Sequence, residues 1–354
     1  MTHEELKGIA AGLVAEAKGI LAADETVATP TGRFDALKIE STPSSRRDYR
    51  ELLLATPGAA QFTSGVILYD ETIRQQSADG TPFAALCARL GIVPGIKVDR
   101  GAKPLAASRG ERVTEGLDGL RERLAEYFEM GARFAKWRAV FKIDDALPSA
   151  ACVSANAHAL GRYAALCQEQ GLVPIVEPEV LMDGAHSLER CEEVTGAVLH
   201  AVFDALFEQR VRLEGILLKP NMVLPGAACT RQASVAEVAG ATLRCLRRHV
   251  PPAVPGIVFL SGGQNDLLAT RHLDAINRAD GPKAWALSFS YGRALQDAAL
   301  ATWLGRPENA AAAQRAFYQR ARCNGLAARG AYTDAEEKQA HARAPGVSDN
   351  CHDD

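Results

Sequence analysis

No uncharged run in the chain is long enough to cross a bilayer, so a helical membrane span is excluded. There is no polybasic block and the formal net charge is -3, so nucleic acid is not expected as the main partner. Any anionic ligand must then be met by a local basic pocket. None of the eight cysteines, at positions 87, 152, 167, 191, 229, 245, 323 and 351, forms a C-x-x-C pair, so neither a zinc ribbon nor a redox dithiol is indicated. A chain of 354 residues does not need disulfide staples, and these thiols read as reduced in a cytoplasmic protein. Glu4, Glu5, Lys7, Glu16 and Lys18 break the amino-terminal apolar residues, leaving no signal-peptide core. No Gly-Lys dipeptide and no H-E-x-x-H helix occur, so a Walker A loop and a zincin site are absent. The histidines, at 3, 158, 186, 200, 249, 272, 341 and 352, fall mostly in helical segments or near the chain ends. A zinc-dependent aldol mechanism needs imidazoles converging on a metal, and that placement speaks against it. The sparse aromatics and methionines read as core.

What is present is organised around Gly215-Ile216-Leu217-Leu218-Lys219-Pro220-Asn221-Met222. An apolar run ending in one lysine, with proline next, reads as a buried parallel strand that stops at Lys219. A lysine whose surroundings disfavour the ammonium offers the free amine that attacks a ketone. Seven further runs share this form. They are Gly19 to Glu25, Ser64 to Asp70, Ile92 to Asp99, Phe134 to Val140, Leu172 to Glu179, Gly256 to Gly263 and Ala286 to Arg293.

Helical spacing predicts helices over His3 to Ala17, Ser44 to Ala55 (capped by Ser44 or Ser45) and Leu117 to Met130. It also predicts them over Ser149 to Gln170, His186 to Arg210, Ser234 to His249 and Asn265 to Asn277. Two alanine-rich helices, Ala294 to Leu304 and Glu308 to Ala328, follow the last strand. Thr26 to Arg33 and Gly101 to Glu115 read as loops. The pattern is that of an α/β protein, a (β/α)8 TIM barrel with extra amino- and carboxy-terminal helices, with residues 1–330 as one domain and 331–354 as a flexible tail.

Parallel strands bring their carboxyl ends to one mouth. Asp24, Lys97, Lys136, Arg138, Glu177, Glu179, Lys219, Ser261 and Arg293 should converge there. Lys136 beside Lys219 would favour the neutral amine by like-charge repulsion. Glu177 could move protons on the carbinolamine oxygen, and Asp24 could take one from a substrate hydroxyl. Ser261-Gly262-Gly263 and Ser290-Tyr291-Gly292-Arg293, each ahead of a helix, read as adjacent anion cradles. Arg33 with Lys97, and Thr29 with them, could grip a second phosphate.

These stretches resemble the class I (Schiff-base) fructose-bisphosphate aldolases. The motifs are Ile20-Leu21-Ala22-Ala23-Asp24-Glu25, Gly95-Ile96-Lys97-Val98-Asp99, Phe134-Ala135-Lys136-Trp137-Arg138 and Pro174-Ile175-Val176-Glu177-Pro178-Glu179. Leu217-Leu218-Lys219-Pro220-Asn221-Met222, Leu260-Ser261-Gly262-Gly263-Gln264 and Phe289-Ser290-Tyr291-Gly292-Arg293-Ala294-Leu295 complete the set. The resemblance covers the chain to about residue 330. It implies reversible cleavage of fructose 1,6-bisphosphate to dihydroxyacetone phosphate and glyceraldehyde 3-phosphate in glycolysis and gluconeogenesis, with no metal or organic cofactor.

It implies an imine on Lys219, Glu177 as acid and base, and Asp24, Lys136 and Glu179 assisting. Ser261, Gly262, Gly263, Ser290, Gly292 and Arg293 would hold the ketose-end phosphate, Arg33 the distal one, and a homotetramer is usual in the family. Two departures stand out. The loop after Glu25 reads Thr26-Val27-Ala28-Thr29-Pro30-Thr31-Gly32-Arg33, without the serines and lysine common in animal members. Animal members also end in a tyrosine that assists enamine protonation. Here the last residues are Asn350-Cys351-His352-Asp353-Asp354, so the expectation is slower protonation or another carrier, His352 or water. The rival readings are a transaldolase-like transferase on the same lysine chemistry and a catalytically idle scaffold.

Overall fold

Eight parallel strands close into a barrel, each beside its sequence neighbour and the last beside the first. They are β1 (Gly19–Ala23), β2 (Thr63–Leu68), β3 (Val93–Lys97), β4 (Phe134–Phe141), β5 (Val173–Val180), β6 (Leu217–Leu218), β7 (Gly256–Phe259) and β8 (Ala286–Tyr291). The structure, a computed structural model, describes residues 2–337. The expected (β/α)8 barrel is the observed one.

The strands are apolar on both faces because one faces the barrel axis and the other the helices. Ile20, Ala22, Ile67, Phe134, Val173, Ile175, Leu217 and Val258 form the inner cluster. The alternate residues Leu21, Ala23, Val66, Leu68, Ile96, Ala135, Trp137, Val176 and Leu218 pack outward. Phe134 fills the axis against β3, where a Cβ on Gly95 would lie 2.3 Å from its ring, so glycine is required there.

Helix His3–Leu13 closes the amino end of the barrel. Thr2 and Glu5 form its capping box, and Leu6, Ala10 and Leu13 present one buried stripe to the inner cluster. Leu13 is fully buried, so truncating it to alanine should cost about 2–5 kcal/mol. The helix stops short of the expected Ala17, which takes a left-handed φ of 64° in the turn into β1.

Other expectations need correcting. The loop expected over Thr26 to Arg33 contains helix Ala28–Ala36, because Pro30 falls in its first turn, where no intrahelical N–H bond is lost. The loop expected over Gly101 to Glu115 carries a two-stranded hairpin, Ala102–Pro104 with Arg112–Thr114. The helix expected from Ser44 begins at Pro43, and its cap is Thr42, whose hydroxyl accepts from Ser45 N–H at 3.0 Å.

The polar segment after Gly330 was expected to be flexible. In its described part, residues 331–337, Tyr332 is buried, its N–H donates to Asp274 at 2.9 Å, and Arg322 pairs with Glu336 at 2.5 Å. Burial of one aromatic and several ion pairs is a signal that hydrophobic period alone does not carry. Residues 338–354, with Cys351 and His352, lie outside the described residues. No helix among the described residues is long and apolar enough to cross a membrane.

Candidate active site

The inward side-chain period that builds the barrel core also builds its mouth. One step past Ala22 is Asp24, past Gly95 is Lys97, past Phe134 is Lys136, past Ile175 is Glu177, past Leu217 is Lys219 and past Ser288 is Ser290. Side chains that would be apolar one layer lower are polar or ionised here. Lys219 follows the short β6, and its N–H still donates to Val176 O at 2.8 Å, which fixes its direction.

Lys136 Nζ lies 2.5 Å from Asp24 Oδ2 and 3.3 Å from Glu177 Oε2. Lys219 Nζ lies 3.3 Å from Glu177 Oε1. All four side chains are buried, with Lys136, Glu177 and Lys219 each 3% exposed. Buried charges are costly unless opposite signs alternate, as they do here. Burial pushes the Asp24 carboxyl up, but the cations of Lys136, Lys219 and Lys97 outweigh it and hold the pKa at about 2. Burial likewise disfavours the Lys136 ammonium, yet Asp24, Glu177 and Asp99 raise its pKa well above the usual value. The Lys136 contact to Glu177 Oε2 is ionic and leaves that oxygen without a hydrogen bond.

Around this quartet the other expected residues divide. Arg138 Nε pairs with Glu179 Oε2 at 2.5 Å, so Glu179 orients Arg138 and does not contact Lys219. Lys97 Nζ sits 2.5 Å from Asp99 Oδ1 and donates to Asp99 O at 2.7 Å. Lys97 is thus held by the carboxylate two residues on along its own segment, while Arg33, expected to grip the second phosphate with it, has other partners. Arg33 donates to Glu25 Oε1 at 3.0 Å, to Gln296 Oε1 at 3.4 Å and to Asp297 Oδ1 at 2.7 Å. Glu25 is also held by Arg50 at 2.7 Å, and the buried Gln296 donates to Ala22 O at 2.6 Å. Thr29 is exposed. Sequence reasoning missed Arg50, Gln296 and Asp297. The last two are three and four residues after Arg293, one helical turn along, and that spacing could have found them.

The glycine turns are where they were expected. Gly262 and Gly263 have φ of 60° and 91°, a left-handed conformation that favours glycine. Gln264 donates from its N–H and its side chain to Ser261 O, at 3.1 and 2.9 Å. Gln264 Oε1 in turn faces His272 Nδ1 at 2.5 Å, so that ring nitrogen carries the proton. Burial lowers the His272 pKa to about 4, which keeps the ring neutral at pH 7. This buried support of the Ser261 turn was not foreseen. Gly292 precedes helix Arg293–Trp303 with no side-chain cap, leaving the first N–H groups free, and Arg293 is exposed beside them. Ser290 Oγ is buried and has no hydrogen-bond partner.

The family described as class-I fructose-bisphosphate aldolase matches residues 5–350. The chain is 57% identical to the probable fructose-bisphosphate aldolase class 1 of Xanthomonas campestris pv. campestris over 331 residues, 93% of this chain and 99% of that one.

The chain belongs to the class I fructose-bisphosphate aldolases.

It is 50% identical to fructose-bisphosphate aldolase C of Rattus norvegicus over 350 residues, 99% of this chain and 96% of that protein. The structure of the Plasmodium falciparum fructose-bisphosphate aldolase superposes with a TM-score of 0.92 at 51% identity, covering 93% of this chain and 95% of that one. The aldolase is thus a lyase acting on sugar phosphates, in a class that works through a Schiff base without metal. Among the described residues no group of three or more His, Cys, Asp or Glu is placed to hold a metal ion, and seven cysteines are free thiols.

Proposed function

We propose that Lys219 carries the covalent step and Glu177 moves the protons. The observation behind this is one buried carboxylate with a lysine amine 3.3 Å from each oxygen. Passing a proton from Lys219 to Glu177 leaves the charge of the quartet unchanged and yields a neutral amine beside a neutral acid. Lys136, kept cationic by Asp24, repels a second positive charge at Lys219.

The amine attacks C2 of fructose 1,6-bisphosphate. Glu177 protonates the carbinolamine hydroxyl, water leaves and an iminium forms. Asp24 takes the C4 hydroxyl proton. The C3–C4 bond then breaks, its electrons flow into the iminium to give an enamine, and glyceraldehyde 3-phosphate departs. Protonation at C3 and hydrolysis release dihydroxyacetone phosphate and regenerate Lys219. The iminium is the electron sink, so the reaction needs no metal or organic cofactor. Glu179 acts by holding Arg138.

Ser261, Gly262, Gly263, Ser290, Gly292 and Arg293 take the ketose-end phosphate. The unpartnered Ser290 hydroxyl and the uncapped helix behind Gly292 supply donors. Arg33 takes the distal phosphate, with Lys97 and Arg138 adding positive charge at the mouth. Two separate anion sites favour a bisphosphate lyase over a transaldolase-like transferase. A scaffold has no use for the buried quartet. We infer a cytoplasmic enzyme of glycolysis and gluconeogenesis, assembled as the homotetramer usual in the family. Phe207, 83% exposed, offers apolar surface for subunit contact.

Steady-state kinetics test the roles. Lys219→Ala should abolish turnover, and Arg293→Ala should mainly raise KM for the ketose phosphate. Near-normal turnover in the first, or unchanged binding in the second, contradicts the assignment.

A further inference from the structure

We infer that Asp297 sets substrate preference, weakening the grip on ketose bisphosphates relative to ketose 1-phosphates by occupying the guanidinium that the distal phosphate needs. This rests on the reading of Arg33 as the distal-phosphate group.

Two carboxylates already hold Arg33. Glu25 is a fixed partner, 15% exposed and bound as well by Arg50 and Gln296. Asp297 differs. Its side chain is 57% exposed, and its bond to Arg33 at 2.7 Å is its one hydrogen bond among the described residues. It sits one helical turn after Arg293 on helix Arg293–Trp303, where both Arg33 and Arg293 act on its charge. Asp297 is thus paired with the arginine assigned to one phosphate and lies one helical turn from the arginine assigned to the other.

A phosphate dianion arriving at Arg33 must displace Asp297 and then stand beside its uncompensated charge. The far end of a ketose 1-phosphate is a neutral hydroxyl and requires no such exchange. Because the Asp297 side chain is more than half exposed and screened, the penalty is modest, about twofold to fivefold in affinity.

The test is the ratio of kcat/KM for fructose 1,6-bisphosphate to that for fructose 1-phosphate. It is measured in the wild type, Asp297→Asn, Asp297→Ala, Arg33→Ala and the double variant Arg33→Ala/Asp297→Ala. Both Asp297 variants should raise the ratio about twofold to fivefold, through a lower KM for the bisphosphate. Arg33→Ala should lower it, and adding Asp297→Ala to that background should restore nothing. Asp297→Asn keeps the side-chain shape, so a folding defect in the alanine variant does not obscure the result. If Arg33→Ala lowers the ratio while both Asp297 variants leave it unchanged, Asp297 is a bystander and only this inference fails. If Arg33→Ala leaves the ratio unchanged, the distal-site reading fails and this inference fails with it.

Discussion

Lys136 and Lys219 approach opposite oxygens of the same carboxylate, Glu177, each at 3.3 Å. Asp24 completes the set at 2.5 Å from Lys136, which leaves Lys219 as the amine without a second acidic partner among the described residues. One lysine is thereby locked as a cation. The other meets only the carboxylate they share.

Glu177→Gln keeps the shape and removes the proton carrier. The quartet then lacks one negative charge, which favours a neutral Lys219, so imine formation is not blocked on charge grounds. Proton transfers to and from the carbinolamine should slow, lowering kcat by roughly 10²–10⁴-fold with a smaller change in KM. Single-turnover cleavage measures this, and a kcat within a few-fold of wild type contradicts it.

Asp24 couples the site to acid stability. Its carboxyl is held at about 2 in the folded protein against an ordinary value of 3.8. A depressed folded pKa stabilises the fold above the unfolded pKa, and that stabilisation is lost as the pH falls from about 4 toward 2. The contribution is on the order of 2 kcal/mol. Urea unfolding midpoints should fall less steeply for Asp24→Asn than for wild type across that window. Parallel curves contradict the pairing.

His272 gives a second pH signature in a different window. Its neutral ring is favoured in the folded state, with the pKa lowered by burial from 6.5 to about 4. The unfolded chain takes up the proton first as the pH falls, so stability is full above about 6.5 and declines toward pH 4, by about 3 kcal/mol. His272→Asn should flatten that decline. Asparagine can still donate to Gln264, so KM for fructose 1-phosphate should stay near wild type. His272→Leu removes the donor to Gln264 Oε1, loosens the Ser261 turn and should raise that KM several-fold. Equal KM values in the two variants contradict the positioning role.

The barrel was legible in the sequence because eight apolar runs, each with a polar residue at its carboxyl end, carry both strand period and strand direction. The positions of Lys219 and Glu177 at the barrel mouth were legible for the same reason, each being an ionisable side chain before a proline at the carboxyl end of a strand. Which charge would pair with which was not legible. Lys97 and Arg33, both read as phosphate ligands, are paired with Asp99 and with Asp297, and neither carboxylate was picked out as a partner. Partner choice among several ions at one rim depends on distances that strand spacing does not encode. Helix Ala28–Ala36 was hidden by Pro30 and Gly32, which read as breakers although Pro30 lies in a first turn that tolerates it. The docking of residues 331–337 depends on Asp274, Arg320 and Glu337 meeting across the fold, and no local pattern announces that.

The central claim is that Lys219 makes a covalent bond to the ketose. Incubating the enzyme with dihydroxyacetone phosphate and borohydride, then mapping peptides by mass, tests it most directly. A reduced adduct on Lys219, absent from Lys219→Ala, is the expected result. An adduct on another lysine, or turnover that proceeds with no trappable adduct, would contradict it.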